Sequence, residues 1–253
     1  MPAYRIAVAN QKGGVGKTTS THSLAFALAE AGAKVLLVDL DPQGDLSRWC
    51  GISADAPSLG EVIDGKRSLG EVIQPVDDAI DIVPATDSLA AAEDNLRRDW
   101  TGNLYVRRQL GTVRDRWDFV LLDTAPSLGL LTAAGILAAD SVLMALEPSP
   151  LALQGLGDML HRVEQARELQ PDLEVLGVVF VRYDRRRTLD RQAVELVEGL
   201  EQMQGRIVET IASTVRMTEA PGSGQSIFEV SPESPAAADY RRLAAKVGEY
   251  GQR

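Results

Sequence analysis

The segment that most constrains the fold is NQKGGVGKTT at residues 10–19, which lies between two stretches of regular pattern. The apolar run Ile6 to Ala9 before it is typical of a buried strand, and Thr18 to Ala31 after it carries apolar residues at helical spacing. Its glycines can turn backbone N–H groups inward, and the start of a helix favours negative charge. The segment therefore predicts a strand, an anion-binding loop and a helix.

Apolar runs of strand length alternate with helical patterns along the rest of the chain. Continuous apolar runs suit strands that are buried on both faces of a parallel sheet, and the alternation places helices on both faces. The sequence thus predicts an α/β fold with a mostly parallel, twisted sheet, in a single domain over residues 1–253. Strands are predicted at 6–9, 35–38, 80–83, 119–122, 142–146, 175–181 and 207–208, and further helices at about 87–98, 103–113, 128–138, 152–169, 190–204 and 235–249.

The glycine segment nearly matches the phosphate-loop pattern G-x-x-x-x-G-K-[ST]. Gly16, Lys17 and Thr18 supply its end, whereas Gln11 stands at the first glycine and Lys12 adds a second lysine. In this chemistry Lys17 reaches the β- and γ-phosphates, and Thr18 places its hydroxyl on Mg²⁺. The sequence predicts a P-loop NTPase that uses ATP and Mg²⁺. The expected nucleotide contacts are Lys12, Gly13, Gly14, Val15, Gly16, Lys17, Thr18 and Thr19.

Acidic residues end two of the predicted strands. Asp39 and Asp41 follow the second strand, and Asp123 ends the run before Thr124, Ala125 and Pro126. Loops at the carboxyl ends of parallel strands line the ligand crevice of such a sheet. Carboxylates there can serve the metal and the attacking water, and Asp123 can hold Mg²⁺ through a water. We therefore expect Thr18, Asp39 and Asp123 to form the metal site.

The net charge of −10 means that binding to DNA would need a local basic patch. Five arginines fall within ten residues, at Arg182, Arg185, Arg186, Arg187 and Arg191. One interpretation is a patch that contacts phosphates and so binds DNA without reading its sequence. The alternative is a solvated loop. Tyr183 is the aromatic residue nearby, so stacking on single strands is the less favoured mode.

Several classes of protein are excluded by what the chain lacks. Cys50 is its only cysteine, so a disulfide within the chain and a site needing two cysteines are excluded. The apolar runs are too short to span a membrane, and the first residues lack the apolar stretch of a signal peptide, so we expect a cytoplasmic protein. The last eighteen residues, 236–253, hold few bulky aliphatic side chains, which indicates a packing helix rather than a membrane anchor.

Three segments together, KGGVGKTT, VDLDPQG and LLDTAPS, resemble the ParA family of deviant-Walker ATPases, which are chromosome and plasmid partition proteins of the ParA/MinD group. The resemblance runs nearly end to end and includes two DNA-facing segments, at 181–184 with the following arginines and at 215–221. It implies that Lys12 crosses to the phosphates of a partner subunit and that Asp41 positions the hydrolytic water. The implied catalytic residues are Lys12, Lys17 and Asp41, and the implied DNA contacts are Arg182, Arg185, Arg186, Arg187 and Arg216.

The resemblance also implies a working cycle. ATP would drive formation of a homodimer that binds duplex DNA without sequence preference, and a ParB-type partner would stimulate hydrolysis and release, on the nucleoid and away from membranes. Two alternatives stay open. One is a ParA-like ATPase that positions a protein cargo over the nucleoid. The other is a P-loop enzyme that phosphorylates a small molecule.

Overall fold

The computed structural model describes residues 2–98, 101–113, 116–126, 129–149, 152–214 and 225–251. Within these residues, eight strands form one sheet in the order β3-β4-β2-β5-β1-β6-β7-β8. All neighbouring strands pair in parallel except β3, which is antiparallel to β4. The strands are β1 (Tyr4–Ala9), β2 (Val35–Leu40), β3 (Gln74–Pro75), β4 (Ile80–Val83), β5 (Phe119–Thr124), β6 (Ser141–Leu146), β7 (Glu174–Tyr183) and β8 (Ile207–Ala212).

Helices cover both faces of the sheet. Alternate residues of one strand accordingly pack into different hydrophobic clusters. On β1, Ala7 and Ala9 belong to one hydrophobic cluster, whereas Ile6 and Val8 belong to the other. The helices are α1 (Lys17–Glu30), α2 (Asp45–Trp49), α3 (Leu59–Ile63), α4 (Leu69–Val72), α5 (Ser88–Arg98), α6 (Tyr105–Leu110), α7 (Leu130–Ala138), α8 (Ala152–Arg167), α9 (Thr188–Glu198), a short helix Ile227–Val230 and a C-terminal helix Pro235–Gly251. The predicted α/β class with a mostly parallel sheet is confirmed.

The seven predicted strands are all present, and most run one to four residues beyond their apolar cores. Two of the predicted helices end three or more residues earlier than expected. The one predicted at 103–113 ends at Leu110, before Gly111, and the one predicted at 190–204 ends at Glu198, before Gly199. Glycine is a poor helix former, so it ends both helices where apolar spacing alone would extend them. All eight strands join one sheet, although the single-domain assignment itself stays a prediction.

The C-terminal helix is a packing element, as its composition indicated. Tyr240, Leu243 and Val247 are fully buried in the cluster that also holds residues of α1. The Tyr240 hydroxyl lies 3.1 Å from the Ser20 hydroxyl on α1, so the two ends of the chain are joined by a buried hydrogen bond. In the part of the chain that the structure describes, no helix is long and apolar enough to cross a membrane.

A buried histidine makes the stability of this fold sensitive to acid. His22 lies on α1 at 3% exposure, against the rings of Phe26 and Trp49. Burial lowers its pKa from 6.5 to about 4. Between these values the unfolded chain binds a proton that the folded chain does not, so stability is complete above pH 6.5 and falls as the pH drops.

We expect the free energy of unfolding to lose about 2 kcal/mol through His22 between pH 7.5 and pH 5. Urea unfolding of the wild type and of His22→Gln at both pH values measures this difference. His161→Gln is the matched control, because His161 is exposed on α8. If His22→Gln and His161→Gln change the pH dependence equally, the buried ring is not the source of the acid sensitivity.

Candidate functional site

The glycine loop between β1 and α1 depends on glycine at two positions. Gly14 and Gly16 have φ values of 72° and 83°, in the left-handed region that other residues rarely adopt. Gly16 is also the N-cap residue of α1, and a Cβ atom there would lie 3.3 Å from the Cγ2 atom of Val181. Any larger residue would be strained and would press on β7. The loop therefore keeps the backbone shape that the sequence pattern predicts.

Lys17 is a buried cation at the start of α1. It is 6% exposed, and its Nζ atom donates one long hydrogen bond of 3.4 Å to the carbonyl oxygen of Lys12. Burial lowers the pKa of Lys17, and the carboxylates of Asp123 and Asp41 act in the opposite direction. A buried ammonium that makes one long hydrogen bond among the described residues can form further hydrogen bonds to an anion.

Asp39 and Asp123 lie side by side at the carboxyl ends of β2 and β5, where they are partners in the parallel register. Both are completely buried. Asp39 accepts hydrogen bonds from the backbone N–H of Asp41 at 3.1 Å and from the backbone and hydroxyl of Ser47 at 3.0 and 2.7 Å. These contacts hold the loop after β2 in place. Burial raises the pKa of Asp39 to about 6.

The two carboxylate oxygens of Asp123 differ in their hydrogen bonding among the described residues. Its Oδ1 atom accepts a hydrogen bond of 3.0 Å from the Thr21 hydroxyl, and the side chain of Thr18 is a further partner of the carboxylate. Its Oδ2 atom is buried and has no hydrogen-bond partner among the described residues. Burial, followed by the nearby Asp39, raises the pKa of Asp123 to about 8. A cation beside Oδ2 would favour the ionised form.

These contacts allow a test of whether Mg²⁺ fits the site. Among the described residues, no group of three or more His, Cys, Asp or Glu side chains could hold a metal alone. Mg²⁺ bound to nucleotide commonly uses one or two protein oxygens, with waters and phosphates supplying the rest. The Thr18 hydroxyl and the orphaned oxygen of Asp123 fit that arrangement. The oxygens of Asp39 are already engaged, so its role as a metal ligand stays a prediction.

A cleft of about 410 Å³ lies over the loop and is large enough for a small-molecule ligand. Some of the residues that line it belong to the predicted nucleotide site, and others do not. The predicted residues that line it are Gly14, Gly16, Lys17, Thr18, Thr19 and Asp41, and the additional ones include Trp49, Val181, Ile211, Ala212, Thr214 and Tyr240. Asp41 accepts a hydrogen bond from the Gln43 N–H at 3.0 Å, which fixes its carboxylate at the cleft wall. The cleft is thus lined both by predicted phosphate-binding residues and by apolar side chains from other segments of the chain.

Lys12 behaves differently from Lys17. Its side chain is 67% exposed, and its Nζ atom lies 3.7 Å from an Oε atom of Glu147. Arg182 forms an ion pair with the other oxygen of the same carboxylate and also lines the cleft. The loop therefore presents one lysine to its own cleft and one to the outside.

The structure divides the predicted basic patch. Arg186 donates two hydrogen bonds of 3.1 Å to Asp184, Arg187 lies 4.0 Å from the same carboxylate, and these cations lower the pKa of Asp184 to about 2. Arg185 is exposed and has no ion pair with any residue that the structure describes. The sequence analysis missed the compensation by Asp184, although the acid is adjacent to the arginines. The segment 215–221, with Arg216, lies outside the described residues.

Comparison with known proteins places the chain in a family. A family model described as an AAA domain matches residues 3–175. The chromosome-partitioning ATPase Soj of Thermus thermophilus is 39% identical over 244 residues, which cover 96% of this chain and 94% of that protein. The chain belongs to the ParA/Soj family of ATPases. As a member of that family, it is an ATPase that uses ATP with Mg²⁺.

Two solved structures show how widely this fold is used. Cobyrinic acid a,c-diamide synthase from Mycobacterium smegmatis, with bound ADP and magnesium, is 32% identical with a TM-score of 0.79, and the match covers 96% of this chain and 93% of that one. A variant of Cyanothece McdA in complex with ATP has a TM-score of 0.85 at 22% identity, and the match covers 97% and 96% of the two chains. The second likeness shows the ParA/MinD-type fold alone.

Proposed function

We propose that this ParA/Soj-family member is a DNA-partitioning ATPase that closes into a homodimer on ATP, binds duplex DNA without sequence preference and releases it after hydrolysis. The observation that carries the proposal is the contrast between the two loop lysines. Lys17 is buried and lines its own cleft, whereas Lys12 is exposed and is not among the residues that line it. A loop that needs one cation per nucleotide has a second one available for the nucleotide of another subunit.

In the proposed cycle, backbone N–H groups of the glycine loop and the ammonium of Lys17 bind the phosphates of ATP. Thr18 and Asp123 would hold Mg²⁺, which would supply neutralisation of the phosphate charge that develops during hydrolysis. Asp41 orients the attacking water from the cleft wall. Closure of two subunits brings each Lys12 to the partner's phosphates. The dimer therefore depends on ATP and dissociates after hydrolysis.

For DNA binding, the structure favours Arg185 over its neighbours. Asp184 partly neutralises Arg186 and Arg187, whereas Arg185 is exposed without an ion pair to the described residues. An uncompensated arginine gains the most from a DNA phosphate. Dimerisation would place two such arginines on one assembly, which makes DNA binding depend on ATP. A ParB-type activator and a nucleoid location complete the proposal.

We expect Arg185→Ala to weaken binding of duplex DNA without weakening ATP-driven dimerisation. If each subunit makes one phosphate contact through Arg185, the slope of log K against log salt flattens by roughly two. The loss should be the same for duplexes of unrelated sequence, since phosphates carry no base identity. Titrating labelled duplexes at several salt concentrations, with dimer formation followed in parallel, measures the slope.

Arg206→Ala is the matched control for this experiment. It removes the same charge, but Arg206 precedes β8 and pairs with Glu174 at the amino end of β7, whereas residues 184–187 follow the carboxyl end of that strand. Equal slopes for wild type and Arg185→Ala would remove this loop from the proposed interface. An equal loss in Arg206→Ala would point to net charge rather than to a local contact.

Two other functions are separated by different observations. The likeness to cobyrinic acid a,c-diamide synthase favours a biosynthetic enzyme as the main rival, and such an enzyme would turn over ATP in response to a small molecule and not to DNA. An ATPase that positions a protein cargo would share the ATP and DNA steps. Purifying the chain's binding partner, and asking whether it binds DNA sites or a protein assembly, distinguishes partition from cargo positioning.

A further inference from the structure

Glu147 connects the exposed lysine of the loop to the wall of the cleft. It follows the last residue of β6, and its two carboxylate oxygens are shared between Lys12, at 3.7 Å, and Arg182, which makes the closer contact. The Glu147 side chain is 27% exposed, whereas those of Lys12 and Arg182 are 67% and 60% exposed. One carboxylate thus compensates two cations from separate segments of the chain.

Arg182 is held in this cluster by an unusual backbone. Its φ of 58° is the one positive value at a non-glycine residue in the part of the chain that the structure describes. Such a conformation is unfavourable for arginine and persists only where its surroundings hold it. Arg182 also lines the cleft, so the Glu147 carboxylate joins Lys12 to a residue of the nucleotide site.

We propose that Glu147 is a positioning residue that holds Lys12 within its own subunit and competes with the partner subunit's ATP for it. This inference rests on the proposed role of Lys12 across the dimer interface. Lys12 cannot contact Glu147 and a distant phosphate at once, so closure must break the pair. The negative charge of Glu147 therefore opposes dimerisation until a more highly charged triphosphate is present.

Lys12 can move away from Glu147 without leaving the Glu147 carboxylate unpaired. After Lys12 moves away, Arg182 still compensates the carboxylate of Glu147. The lost contact is exposed and longer than a direct hydrogen bond, which is the kind of ion pair that contributes little to stability. The free-energy cost of breaking the Lys12–Glu147 pair is therefore small enough for ATP binding to offset. Two of these ion pairs break for each dimer that forms.

The test is the dimer dissociation constant of Glu147→Gln with Mg²⁺ and a slowly hydrolysed ATP analogue. Glutamine keeps the shape of the side chain and removes its charge, so we expect the full-length variant to dimerise about two- to tenfold more tightly than wild type. Damage to the fold would weaken dimerisation, so the expected gain cannot arise from misfolding. The gain should shrink at high salt, which screens exposed charges.

Two controls accompany this measurement. Glu147→Asp retains the charge and should restore most of the wild-type dissociation constant. Glu174→Gln removes an equal charge at the amino end of β7, where Glu174 pairs with Arg206, and should leave the constant unchanged. A gain in Glu174→Gln as large as in Glu147→Gln would attribute the effect to net charge and overturn the inference.

The remaining outcomes separate this inference from the proposed function. If Lys12→Ala fails to dimerise while Glu147→Gln dimerises like wild type or more weakly, Lys12 acts across the interface but Glu147 does not restrain it. If Lys12→Ala dimerises normally, the proposed role of Lys12 itself is wrong. The inference is supported when Glu147→Gln tightens the dimer and the double variant with Lys12→Ala forms none.

Discussion

Lys17→Ala is expected to weaken ATP binding by about 100- to 4,000-fold. The ammonium is buried at the start of α1, lines the cleft and makes one long hydrogen bond among the described residues. Loss of one partner from a buried charge pair costs about 3–5 kcal/mol, and each 1.4 kcal/mol is a factor of ten. Equilibrium titration with a fluorescent ATP analogue measures the change directly.

Lys34→Ala provides the matched control for that titration. Lys34 is exposed and precedes β2, at the amino end of a strand whose carboxyl end faces the cleft. Its replacement therefore changes the net charge equally without altering the site. The ATP affinity of Lys34→Ala should therefore equal that of wild type, and the whole loss of affinity should appear in Lys17→Ala. Near-normal affinity in Lys17→Ala would show that the phosphates of ATP bind elsewhere, and the assignment of the loop would be wrong.

Asp41→Ala is expected to lower ATP hydrolysis by about 100-fold or more while leaving ATP binding close to that of wild type. The carboxylate lines the cleft and is fixed by the Gln43 N–H, and it makes no hydrogen bond to the glycine loop or to Lys17 among the described residues. The attacking water loses its orienting group, and the phosphate cradle remains. Phosphate release under single-turnover conditions, with binding measured separately, gives both quantities.

Asp78→Ala should hydrolyse ATP at the wild-type rate. Asp78 is exposed in the turn before β4, at the amino ends of the parallel strands. Its replacement by alanine removes the same charge as Asp41→Ala. Asp39 is a poorer comparison, because its carboxylate holds Ser47 and the loop that carries Asp41. If Asp41→Ala turns over like Asp78→Ala, another residue must orient the water.

The sequence was sufficient to predict the parts of this protein that are encoded locally. A glycine loop flanked by a strand and a helix contains its own geometry, so Gly14 and Gly16 adopt the left-handed backbone that the pattern requires. Runs that end in acids mark the carboxyl ends of strands, and Asp39 and Asp123 meet there because β2 and β5 pair in parallel. A family resemblance carried by these segments was enough to identify the family.

What could not be predicted depends on contacts between distant segments. The cleft is also lined by Ile211 and Tyr240, which lie about 200 residues after the loop in sequence and belong to no recognisable motif. The strand β3 is only two residues long and forms at an edge, where no apolar run is needed. The pairing of Lys12 with Glu147 likewise requires β1 and β6 to be neighbours, which spacing alone does not show.

The central claim is that ATP controls assembly and that assembly controls DNA binding. Sedimentation velocity of Asp41→Ala with a labelled duplex tests it most directly, because this variant should bind ATP and Mg²⁺ without consuming the nucleotide. With ATP, the account predicts that the protein sediments as a dimer and carries the duplex with it. With ADP, it predicts a monomer and free duplex. The same mass and the same bound fraction of DNA in both nucleotides would contradict the account.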